Sequence, residues 1–154
     1  MKALLSSQLS AVLEGSPHWM TALANASAVP YEGVELLNWA GFYLLEGEDL
    51  ILGPFQGKAA CIRIPKGKGV CGAAVERNES VLVPDVHSFP GHIACDSASR
   101  SELVIPLRTS SGRVFGVLDM DSPYPARFTA ADRSAMEECA RVIEKALEEL
   151  NIPF

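Results

Sequence analysis

The residues of this chain best placed to do chemistry are cysteines and carboxylates in its middle third and just beyond. Cys95 stands in Gly91-His92-Ile93-Ala94-Cys95-Asp96, with His92 before it and Arg100 after it. Positive neighbours lower a thiol's pKa and a loop can deliver it to solvent, so this setting suits a reactive thiolate. A small apolar cysteine buried in a loop is the other reading. A thiolate that takes oxygen from an oxidised substrate becomes a sulfenic acid, which needs a second cysteine to resolve it and an acid to protonate the departing oxygen. Cys61 and Cys71 are candidates for the second thiol, although two small core residues would look the same. Cys71 opens a predicted helix, whose dipole favours thiolate. Cys139 lies beside Ala140 on a predicted helix and reads as core.

Asp119 and Asp121 are two apart at the end of an apolar run, so in a strand they share one face, together with Phe115 and Val117. Two carboxyl groups facing an apolar site repel, which raises one proton affinity and makes a neutral acid. A strand ending in solvent at Asp121-Ser122-Pro123 is the alternative. Glu102 begins the partner strand. Trp39 and Tyr43 fall on one face of an earlier strand with Gly41 between them, either as a floor for a sulfur-bearing side chain or as ordinary core. His92, Cys95, Cys61 and Cys71 could also be assembled into a zinc site, but no C-x-x-C knuckle supports it, and no metal is expected.

The elements that must position these residues follow from periodicity. Lys2 to Glu14 reads as a helix stopped by Gly15, and Pro17 to Val29 as a second, capped by Ser16 and ended before Pro30. Trp39 to Leu45, Leu50 to Phe55 and Ala60 to Ile64 read as consecutive antiparallel strands, the last carrying Cys61. Val70 to Arg77 suits a short helix and Ser80 to Val83 a strand. Pro84 to Arg100 has no period and reads as a long functional loop. Glu102 to Thr109 and Arg113 to Asp121 form a hairpin, with Pro106 demanding an edge or a bulge. Thr129 and Asp132 resemble a capping box, and Met136, Ala140, Ile143, Leu147 and Leu150 keep helical spacing to the end. Helices grouped at the ends around an antiparallel sheet make the class α+β.

A length of 154 residues with 48% hydrophobic residues suits one domain spanning residues 1–154. The net charge of −6, with no run of basic residues, argues against a nucleic-acid surface. The amino-terminal leucines keep helical spacing and no cleavage pattern follows, so no secretory signal and no membrane span are expected. The four cysteines then read as cytoplasmic thiols.

Several blocks of the chain, in order, resemble one family: Asn38-Trp39-Ala40-Gly41-Phe42-Tyr43, Leu52-Gly53-Pro54-Phe55-Gln56-Gly57, Gly69-Val70-Cys71-Gly72, Asp85-Val86-His87, Gly91 to Asp96, and Gly116-Val117-Leu118-Asp119-Met120-Asp121. These are similar to the free methionine-R-sulfoxide reductases, which are GAF-domain proteins. The resemblance implies a single GAF domain, with helices from both chain ends packed on one face of an antiparallel sheet. It implies that free methionine-R-sulfoxide is the substrate, that Cys95 is the nucleophile, and that Cys61 and Cys71 are able to resolve its sulfenic acid. It further implies that Glu102, Asp119 and Asp121 contact substrate beside Trp39 and Tyr43. Thioredoxin or another dithiol would restore the enzyme, with no bound cofactor, and the resemblance leaves room for a homodimer. Cys139 matches no cysteine of the family. A GAF module that binds a small ligand without turnover is the competing function, since fold alone does not fix activity. A stand-alone domain with three matched cysteines favours the enzyme.

Overall fold

The protein, seen in a computed structural model that describes residues 2–93 and 95–151, is a twisted antiparallel sheet with helices on both faces. Chain order is α1 (Lys2–Leu13), α2 (Trp19–Gly33), β1 (Trp39–Glu46), β2 (Asp49–Gly57), β3 (Arg63–Ile64), α3 (Gly69–Arg77), β4 (Val81–Val83), β5 (Ser101–Arg108), β6 (Val114–Ser122) and α4 (Ala130–Glu149). The strands lie in the order β3-β2-β1-β6-β5-β4. The α+β GAF architecture expected from the sequence is present, with the terminal helices on one face.

Alternation within the strands separates two cores. Ala40 and Phe42 of β1, Leu103, Ile105 and Leu107 of β5, and Leu118 and Met120 of β6 point to the terminal helices. They meet Leu5, Leu9 and Leu13 of α1, Leu23 and Ala26 of α2, and Met136, Cys139, Ala140, Ile143 and Leu147 of α4. Cys139 is therefore core, and its burial pushes the thiol pKa up to about 11. The Thr129–Asp132 capping box fixes the start of α4 with reciprocal bonds. The opposite face carries Trp39, Tyr43, Val104 and Val117, and α3 covers it with Val70, Cys71 and Ala74. No helix among the described residues is long and apolar enough to cross a membrane.

Four local expectations are corrected. α2 starts later than Ser16–Pro17, because His18 caps it by accepting from the Met20 N–H, and it runs through Pro30 to Gly33. Pro30 still offers its carbonyl, which accepts from Val34, so the helix closes past the proline. Cys61 is not in a strand: only Leu50↔Ile64 and Ile51↔Arg63 pair β2 with β3, and the chain before Ile62 leaves the sheet. Phe115 does not share the face of Asp119 and Asp121. A register shift against Leu107 and Arg108 leaves Phe115 without an opposite residue, and it turns into the core beneath the terminal helices. Pro106 fits as expected, since β4 pairs with β5 only from Glu102 to Val104 and leaves an open edge at the proline.

Candidate active site

A cavity of about 40 Å³ lies on the α3 side of the sheet, between the connection 58–68 and the loop 84–100. Its floor is β1 and β6. Pairing of Trp39 with Asp121, Gly41 with Asp119 and Tyr43 with Val117 sets the aromatic and carboxylate rows side by side. Pairing of Glu102 with Asp121 adds the third carboxyl from β5.

The expected aromatic floor is present and larger than the sequence indicated. Trp39 and Tyr43 stack with ring centres 5.9 Å apart, and Phe55 of β2 stacks on Trp39 at 5.3 Å. Phe55 was not legible as a site residue, because its position depends on the β1–β2 register, which sets it opposite Gly41. The glycine is required there: a Cβ on residue 41 would sit 2.3 Å from the Phe55 Cβ. Trp39 Nε1 donates to the Lys58 carbonyl at 3.1 Å and the Tyr43 hydroxyl to the Cys61 carbonyl at 2.8 Å. The sheet thus fixes the connection that carries Cys61.

Cys61 and Cys95 are joined in a disulfide, with Cα atoms 5.3 Å apart. Cys71 stays a free, buried thiol on the wall of the same cavity. Its place in the first turn of α3 does not make it a thiolate, as expected from the helix dipole. Burial and the carboxyl groups of Asp119, Glu102 and Asp121 push its pKa well up. His92 is likewise not the positive neighbour anticipated for Cys95: burial, with His87 nearby, lowers its pKa, and its Nε2 lies 4.0 Å from Glu102 Oε1. Arg100 is exposed.

The carboxyl cluster is buried and short of positive partners. Glu102 and Asp119 are 6% and 5% exposed, and Asp121 is half-buried. Burial, then repulsion by Asp119 and Asp121, raises the Glu102 pKa well above the usual range. Burial and the charge of Asp119 do the same to Asp121. Asp119 is raised by burial, but hydrogen bonds from Glu102 and Cys71 oppose the rise. Of the three, Asp119 is the group whose charged form these hydrogen bonds favour. Asp119 Oδ1 is nevertheless buried without a hydrogen-bond partner.

The zinc grouping of His92 with the three site cysteines does not form, since two of those cysteines are bonded to each other. Instead Cys71 Sγ and oxygens of Glu102 and Asp119 lie within 4.8 Å of one another. Asn38, part of the first block of resemblance but assigned no role there, donates from its side-chain Nδ2 to Asp96 Oδ2 and Ser99 Oγ at 3.1 Å each.

A model of the GAF domain matches residues 15–147. The free methionine-R-sulfoxide reductase of Escherichia coli is 50% identical over 143 residues, covering 93% of this chain and 86% of that one. The enzyme of the same name from Saccharomyces cerevisiae is 42% identical over 140 residues, covering 86% and 78%. The free methionine-R-sulfoxide reductase of Neisseria meningitidis, solved in complex with its substrate, superposes with a TM-score of 0.93 at 42% identity, over 97% of this chain and 90% of that one. A matching fold and relatives of this identity and coverage agree: the chain belongs to the GAF family and, within it, to the free methionine-R-sulfoxide reductases.

Proposed function

We propose that the protein reduces free L-methionine-(R)-S-oxide to methionine, with Cys95 as nucleophile and Cys61 as the main resolving cysteine. The observation that carries this reading is the Cys61–Cys95 disulfide beside a cavity lined by buried carboxyl groups. A binding module without turnover needs neither. The Cys95 thiolate attacks the sulfoxide sulfur while a carboxyl proton moves to the oxygen. Methionine leaves, and the oxygen stays on Cys95 as sulfenic acid. The Cys61 thiol attacks that sulfur, expels water and forms the observed disulfide. A dithiol protein of the thioredoxin type, in a reducing cytoplasm, exchanges with the disulfide and returns both thiols.

Glu102 and Asp121 are the groups able to give the proton, and we assign it to Asp121, the less enclosed and so the more readily reprotonated of the two. Asp119, the carboxylate with an unpartnered oxygen, pairs with the substrate ammonium. Trp39 and Tyr43 hold the methyl-sulfoxide end, with Phe55 backing the Trp39 ring. A peptide lacks the free ammonium, which accounts for selectivity toward the free amino acid.

Incubation with racemic free methionine sulfoxide and dithiothreitol tests the reading. Only one epimer can direct its lone pair to Cys95 and its oxygen to the carboxyl groups, so consumption should stop at half. Complete conversion, or efficient reduction of sulfoxide within a peptide, would contradict it.

A further inference from the structure

Asn38 sits one step behind the cavity, at the entry to β1, where its backbone N–H donates to the Asp121 carbonyl at 3.0 Å. Its side chain reaches across 58 and 61 residues of sequence to Asp96 Oδ2 and Ser99 Oγ, the residues that follow the nucleophile. A carboxylate can only accept, so the amide must turn its NH2 toward Asp96. That orientation spends both donors on the loop and leaves Asn38 Oδ1 buried without a partner. A buried orphan acceptor is costly, and a side chain retained at that cost calls for a reason.

The loop's own bonds supply the reason. Cys95 N–H donates to Ile93, Ser99 N–H to the Asp96 carbonyl, and Ala98 N–H to Asp96 Oδ1, all within the loop. Among the described residues, the polar side-chain ties from this segment to the rest of the protein are the Cys61–Cys95 disulfide, the 4.0 Å approach of His92 to Glu102, and the pair of bonds from Asn38. The disulfide is absent in the form that reacts with substrate. We infer that Asn38 is a positioning residue, whose carboxamide moors the Cys95 segment to the sheet when the disulfide is open and so holds the nucleophile over the carboxyl groups. This inference rests on the reductase reading above and adds a redox-dependent role for a residue outside the cavity.

Amide hydrogen exchange of segment 91–99, followed by mass spectrometry in the disulfide and dithiothreitol-reduced forms, tests it for Asn38→Ala and the near-isosteric Asn38→Leu. Loss of two hydrogen bonds should raise exchange about tenfold in the reduced variants, and by less than about twofold while the disulfide holds the loop. Ser99→Ala removes one bond from the loop's own side, and should give a smaller rise with the same redox selectivity even if residue 38 tolerates no change. Single-turnover reduction at saturating substrate should fall about tenfold in Asn38→Ala, with KM within about threefold. Equal loosening in both redox states would make Asn38 an ordinary structural residue and overturn the inference. So would unchanged exchange, or redox-selective loosening at a full single-turnover rate. Wild-type protein that fails to reduce the sulfoxide at all would instead defeat the reductase reading, while the exchange result stands independently.

Discussion

Three carboxyl groups on neighbouring strands share one poorly solvated pocket, which raises the pKa of each and of Glu102 and Asp121 most, so the proposed chemistry draws its proton from one of those two. If Asp121 is the acid, Asp121→Asn should slow single turnover at saturating substrate by roughly a hundredfold. Asp119→Asn should instead weaken binding and leave the saturated rate near normal. The reverse pattern would exchange their roles, and near-normal rates in both of these and in Glu102→Gln would remove the acid altogether. The thiols divide similarly. Cys95→Ser should yield no methionine even in one turnover. Cys61→Ser should complete the first turnover and accumulate oxidised Cys95 by mass spectrometry, whereas Cys71→Ser should still form the Cys61–Cys95 disulfide. A Cys61→Ser variant that cycles normally would shift resolution to Cys71. The carboxylate pair was legible in the sequence because strand period alone puts Asp119 and Asp121 on one face. The partner of Cys95 was not, since a sequence separation of 34 between Cys61 and Cys95 carries no information about their distance in space.

Elements with a strong period were read correctly, and those shaped by register were not. The spacing of Met136, Ala140, Ile143 and Leu147 is enough to bury one stripe of α4, and Thr129 with Asp132 marks its start. By contrast, Phe115 has the parity of the carboxylates, yet the bulge opposite Leu107 and Arg108 sends it to the other core. Nothing local announces that shift. Cys61 reads as strand because Ile62 and Ile64 are β-branched and Ala60, Cys61 and both isoleucines are apolar, while the ladder with β2 has room for two pairs only. The same dependence on register makes Gly41 a sharp test of the aromatic floor. Gly41→Ala would drive a methyl to 2.3 Å from the Phe55 Cβ and 2.9 Å from the Trp39 ring. Relief requires β2 or the indole to move, which should cost about 1–3 kcal/mol by urea unfolding and raise KM more than it lowers the saturated rate. An alanine variant of wild-type stability and KM would show that the Trp39–Phe55 stack is not a substrate surface.

On the scale of the whole molecule, the sheet keeps its two faces chemically apart. The face toward the terminal helices is filled with aliphatic, aromatic and sulfur-bearing side chains and supplies cohesion, while the α3 face gives up part of its core to three carboxyl groups and a thiol. Such a site should cost stability in a pH-dependent way. Glu102 and Asp121 have folded-state pKa values well above the ordinary carboxyl range of about 4. Below that range both the folded and the unfolded chain carry these protons. Above it the unfolded chain releases them while the folded chain retains them, so unfolding sheds protons and becomes easier as pH rises. Their contribution is therefore fully present in acid and is lost as pH climbs toward the folded-state values. The growing negative charge of an already acidic chain acts in the same direction. Amide substitutions separate the two effects, because Glu102→Gln with Asp121→Asn removes the titrating groups and barely alters the overall charge balance. In the disulfide form at constant ionic strength, the urea midpoint of the wild type should fall between about pH 5 and 8, and that of the double variant should fall distinctly less. Parallel curves would mean that Glu102 and Asp121 are ionised in the folded protein, and the acid required by the proposed chemistry would have to lie elsewhere.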